Sequence, residues 1–110
     1  MDELLRNMGK RICERRKQLR LTQEALSELA HVNPQTISSA ELGQKAMRPE
    51  TILNICSALQ ISTEYLLRGT IAEEDASILL QKLSVLTPNQ YRHLEDIVDS
   101  YIAGIQEKEV

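Results

Sequence analysis

Aromatic side chains are nearly missing from this sequence. Tryptophan and phenylalanine are absent and tyrosine occurs three times in 110 residues, so any core must be aliphatic. At 42% hydrophobic residues the chain is still too apolar for a disordered tail. Cysteine is scarce as well: Cys13 and Cys56 stand far apart, neither with a second Cys or His at ligand spacing, which speaks against a metal site. The start, Met1-Asp2-Glu3, is acidic and no apolar stretch of secretory type follows it, so the expected setting is a reducing cytoplasm with two buried thiols rather than a disulfide. No apolar run approaches the roughly 18 residues of a bilayer span, and no membrane partner is expected. His31 and His93 are the only histidines, neither beside a nucleophile or carboxylate at catalytic spacing, and there is no glycine-rich phosphate loop; neither an enzyme nor a cofactor is expected. Positive charge is also short, 13 Lys and Arg against 16 Asp and Glu, a net charge of −3 that as a total argues against a nucleic-acid partner.

The distribution of that charge reverses the argument. Residues 1–69 hold ten basic and eight acidic side chains, whereas residues 70–110 hold three and eight. Six of the basic residues (Lys10, Arg11, Arg15, Arg16, Lys17 and Arg20) fall within 11 positions, and Lys45 and Arg48 form a second group. The expected division is therefore a reader over 1–69 and an acidic tail over 70–110.

Apolar residues recur at intervals of three and four and never alternate over a strand length, which predicts an all-α protein. A first helix from about Glu3 to Leu19 buries Leu5, Met8, Ile12 and Leu19. Thr22 caps a second, Gln23 to Ala30, with Ala25, Leu26 and Leu29 inward. After a turn at His31-Val32, Asn33 caps a third that starts with Pro34, a residue suited to the first helical position, and stops at Gly43. Pro49-Glu50 opens a fourth, burying Ile52, Leu53, Cys56 and Leu59, and Ser62 caps a fifth that ends at Gly69. Two amphipathic helices follow. One comes after Glu73-Glu74-Asp75 and carries Ala76, Leu79, Leu80, Leu83 and Leu86; the other opens with the capping box Thr87-Pro88-Asn89-Gln90 and runs to about Glu107.

Two short helices joined by a tight turn, the second with a polar outer face, have the geometry of a helix-turn-helix DNA reader. The residues Gly9-Lys10-Arg11-Ile12, Arg15-Arg16-Lys17, Leu21 to Leu26, Thr36-Ile37-Ser38, Glu41-Leu42-Gly43, Pro49 to Leu53 and Ser62 to Leu67 make the stretch from Gly9 to Gly69 resemble the Cro/repressor-type (XRE) helix-turn-helix family. The resemblance implies a five-helix DNA-binding domain, here followed by a two-helix hairpin, and a dimeric repressor that reads the major groove of double-stranded DNA with its third helix. It also implies a partly buried ion pair, Arg16 with Glu41, linking the first helix to the end of the third. Three positions depart from the family pattern: His31 replaces the usual turn glycine, Ser27 a small alanine, and Met47-Arg48-Pro49 the commoner Pro-Ser-Pro, so the fourth helix lacks its serine cap.

Asn33, Gln35, Ser38 and Ser39 are the base-facing candidates; the Gln35 carboxamide matches an adenine edge, and no Arg or Lys is present on that helix for a guanine. Thr22, Gln23, Thr36, Lys45 and Arg48 are phosphate candidates, Gln23 and Thr36 by resemblance to the family. Without the motif, Gln23 reads equally as a solvated first-turn residue, a solvated loop is the lesser alternative for Lys45 and Arg48, and Arg11 is open between a phosphate neighbour and a solvated face. In the tail, Leu83, Leu86, Tyr91, Leu94, Val98, Tyr101 and Ile105 form a stripe wider than one neighbouring helix needs. Either the hairpin packs back on the reader, or it pairs with its copy to make a homodimer. The alternative function is an antitoxin-type or antagonist-controlled module, whose tail binds a partner protein while DNA binding is autoregulatory.

Overall fold

The computed structural model describes residues 2–109, and the chain divides into two compact units, Met1–Asp75 and Ala76–Val110. Seven helices and no strand are found among the described residues: α1 (Glu3–Gln18), α2 (Gln23–Ala30), α3 (Pro34–Glu41), α4 (Pro49–Leu59), α5 (Thr63–Arg68), α6 (Glu73–Leu83) and α7 (Pro88–Glu109).

Local chemistry explains most of the boundaries. Asp2 Oδ1 accepts from the Leu4 N–H (2.9 Å) at the start of α1, and Arg15, Arg16 and Lys17 occupy its last turn, where the helix dipole favours cations. Thr22 Oγ1 caps α2 through the Ala25 N–H (3.0 Å), Asn33 Oδ1 caps α3 through the Gln35 N–H (2.8 Å) and Ser62 Oγ caps α5 through the Tyr65 N–H (3.0 Å). Arg48, at the same place before α4, makes no side-chain cap, and Pro49 alone shapes that start. Three helices end on a left-handed residue: His31 (φ 55°) after α2, Gln60 (φ 56°) after α4 and Gly69 (φ 76°) after α5.

Within the first unit the core is aliphatic: Met8, Ile12, Leu26, Ala30, Ile37, Ala40, Ile55, Cys56, Leu59 and Leu66 are buried. Leu5, Leu19 and Ile52 pack against it partly buried, while two expected core residues are exposed. Leu29 is 55% and Leu53 60% exposed. On α2 the buried face runs through Leu26 and Ala30, and on α4 through Ile55, Cys56 and Leu59; Leu29 and Leu53 lie one residue off these i, i+4 rows and are turned about 100° away. Gly9 lets α1 approach the end of α3 closely, since a Cβ there would stand 2.5 Å from the carbonyl oxygens of both Ala40 and Glu41.

The first compact unit runs on past Gly69 to Asp75. The Asp75 carboxylate accepts from the Ala72 N–H and from Ser62 Oγ, both at 2.9 Å, and so ties the first turn of α6 to the cap of α5. In the second unit α6 ends at Leu83, leaving Leu86 half-buried in the turn, and the Thr87–Gln90 box forms in both directions: the Thr87 N–H donates to Gln90 Oε1 (2.9 Å) and the Gln90 N–H to Thr87 Oγ1 (3.3 Å). Leu83 lies beside Tyr91, Leu94 and Val98 around a shallow groove of about 210 Å³. No side chain described between Ala76 and Glu107 is buried.

Candidate nucleic-acid interface

The turn between α2 and α3 is compact because His31 takes the left-handed conformation and the Val32 N–H then returns to the Ser27 carbonyl (3.0 Å). Ser27 itself is buried, its hydroxyl donating to the Glu24 carbonyl (2.6 Å). Ile37 and Ala40 hold α3 against the core by their buried side chains, which turns the polar residues of this helix outward.

An open groove of about 410 Å³ lies along that outer face. Gln35, Thr36 and Ser39 of α3 line it, together with Lys45 and Arg48 from the loop that follows. Five of the site residues expected from sequence thus converge: amide and hydroxyl groups on one wall, two cations on the other. Beside Ala40 and Ala46, the larger Met47 and Thr51 also line it. Sequence reasoning assigned no role to either; the signal available was the short spacing from Lys45 to the start of α4, which keeps the first turn of that helix beside the loop cations.

The remaining candidates are placed differently. Asn33 and Ser38 lie outside the groove lining, and Asn33 Oδ1 is already occupied as the cap of α3. Thr22 is exposed, its Oγ1 serving as the cap of α2. Gln23, expected to hold a phosphate oxygen, donates its carboxamide N–H to Glu41 Oε1 (3.0 Å). A nearby buried carboxylate outcompetes solvent for that group, a partner 18 residues away in sequence.

Glu41 is the centre of a node. Arg16 Nε donates to its Oε2 (2.7 Å) and Arg16 Nη2 to its Oε1 (3.0 Å), with side-chain exposures of only 12% and 6%. Arg16 Nη1 also donates to the Leu21 carbonyl (2.9 Å). One guanidinium therefore joins the end of α1, the entry to α2 and the end of α3. Burial pushes the Glu41 carboxyl up, but the hydrogen bonds from Arg16 and Gln23 and the Arg16 charge outweigh it and hold the group below the usual carboxylate value. The hydrogen bond to Glu41 in turn raises Arg16.

Two more cations of α1 act inside the protein. Arg11 Nη1 donates to the Leu66 carbonyl near the end of α5 (2.9 Å), and its guanidinium covers Gly69, where a Cβ would come within 2.6 Å of Nη2. Arg15 Nε donates to the Leu59 carbonyl at the end of α4 (3.0 Å). Both satisfy carbonyls that a helix end leaves without partners. Lys10, Lys17 and Arg20 remain exposed. The two thiols are free, and burial pushes Cys56 up to about 11. Among the described residues no group of three or more His, Cys, Asp or Glu could hold a metal ion, and no helix is long and apolar enough to cross a membrane.

A helix-turn-helix family model matches residues 14–66. Over 70 residues the chain is 36% identical to repressor protein C2 of Salmonella phage P22, a match that takes in 64% of this chain and 32% of the relative. The chain thus spans about a third of the length of this curated relative. The crystal structure of the P22 c2 repressor in complex with a synthetic operator superposes with a TM-score of 0.56 at 40% identity, covering 57% of this chain and 96% of that one. The restriction-modification controller protein C.AhdI from Aeromonas hydrophila gives 0.55 at 31% identity, covering 56% and 94%. These are regulators rather than enzymes.

Proposed function

The chain belongs to the Cro/repressor-type helix-turn-helix family, and from that premise we propose that it is a sequence-specific regulator of transcription, a repressor that binds double-stranded DNA in the cytoplasm as a homodimer. The observation that carries this reading is the groove in which Gln35, Thr36 and Ser39 of α3 meet Lys45 and Arg48. α3 enters the major groove with its outer face, Gln35 and Ser39 reach base edges, and Asn33 and Ser38 flank them. Thr36, Lys45 and Arg48 take phosphates and set register, with the exposed Thr22 at the neighbouring backbone, while Gln23 stays on Glu41 and braces α3 from behind. The tail residues Leu83, Leu86, Tyr91, Leu94, Val98, Tyr101 and Ile105 pair two copies, so that one operator is read twice. The relative from phage P22, solved on a synthetic operator, supports DNA as the partner.

Operator selection from a random duplex pool, followed by two variants, tests the reading. Gln35→Ala weakens binding at one base position by about 1–3 kcal/mol and leaves the other positions unchanged. Lys45→Ala weakens all sequences alike and flattens the dependence of log K on log salt by about one unit. If neither variant alters binding to the selected duplex, the groove is not the DNA surface.

A further inference from the structure

Ala76–Val110 is a unit of 35 residues in which no described side chain is buried. Yet it holds ten large apolar side chains between 38% and 80% exposed, among them Leu79, Leu80, Ile97, Val98, Tyr101 and Ile102. Two helices have no inside. An isolated helix as short as the 11-residue α6 is marginal in water, and domains below about 40 residues need a disulfide, a metal or association to stand. No disulfide or candidate metal cluster is present among the described residues.

Resting on the paired-reader reading above, we infer that α6 and α7 are a half-fold completed by a second copy of the chain: two tails make a four-helix bundle, and tail folding is coupled to association. Together the ten side chains expose on the order of 1,000 Å² on each copy, enough to supply the roughly 800 Å² per partner that a stable pair buries. Four helices enclose a core where two do not. The rim of the Leu83–Tyr91–Leu94–Val98 groove carries Glu95 and Asp99, while Lys82 and Arg92 stand one residue from Leu83 and Tyr91, so a copy meets both signs of charge and not a uniform repulsive edge. The monomer accordingly keeps the reader and loses the tail helices.

Sedimentation and far-UV circular dichroism of the full chain, both followed on dilution, test this. The helices α6 and α7 contain about two fifths of all helical residues. Dilution through the dimer–monomer transition removes up to that share of the helical signal, in step with the loss of dimer, while the reader keeps its own cooperative melt. Leu94→Glu gives a monomer with the same reduced signal at every concentration. A monomer that keeps full helicity, a dimer that survives Leu94→Glu, or tail helices that appear only with a different protein overturns the inference. The Gln35→Ala and Lys45→Ala duplex assays leave sedimentation untouched, so tail pairing and DNA reading fail separately.

Discussion

His31 occupies a left-handed site that glycine fills without cost, and histidine adopts it with strain that nothing in its exposed side chain offsets. His31→Gly therefore raises the urea midpoint with an unchanged slope, by up to about 1 kcal/mol, part of the relief being cancelled by the greater freedom of glycine in the unfolded chain. Unfolding in which the variant is clearly the less stable protein would remove this account of the turn. Glu41 makes a different residue-scale prediction. Its folded carboxyl lies below the ordinary value of about 4.3, so its contribution is complete above that value and is lost as pH falls through the folded one. Glu41→Gln costs about 1.5–3 kcal/mol at pH 7, the range for hydrogen bonds to a charged group, and the gap to the parent closes in acid. Parallel stability curves for the two proteins between pH 7 and pH 3 would show that the Arg16 node is not where acid acts.

At the scale of elements, α1 and α3 are held as close as backbones allow. Gly9→Ala puts a methyl against two main-chain oxygens, at Ala40 and Glu41, that cannot rotate away. The expected cost is about 1–3 kcal/mol, seen as a fall of several degrees in the melting temperature of the reader. An unchanged melt would mean that α3 slides to make room. What sequence reveals about such elements depends on how far the deciding contact reaches. The ends of α2, α3 and α5 were legible because Thr22, Asn33, Ser62 and Gly69 act within four residues. The outward positions of Leu29 and Leu53 were not, because a rotation of the helix about its axis is settled by its tertiary neighbours. The same holds for cations: Arg11 and Arg15 look like surface charge until α5 and α4 bring the Leu66 and Leu59 carbonyls to them. The Arg16–Glu41 pair was accessible through the family resemblance, whereas the attachment of Gln23 to it needed the folded chain.

For the whole molecule, net charge is a poor guide to the DNA affinity because several cations are already engaged. Three arginines of the α1 cluster bind carbonyls or Glu41, which leaves Lys45 and Arg48 as the two cations lining the groove. Two neutralised phosphates per reader give a slope of log K against log salt of about −2, and about −4 for a pair. A measured slope of about −9 for the pair would place Lys10, Lys17 and Arg20 on phosphates as well. The scarcity of aromatics has a final consequence. With no tryptophan to dominate emission, the ultraviolet fluorescence comes from tyrosine alone: Tyr65 is half-buried in the first unit, while Tyr91 and Tyr101 are exposed in the second. Most of the intrinsic optical signal therefore originates in the acidic tail, and the chain carries a label-free reporter on the segment that the DNA-reading helix does not share.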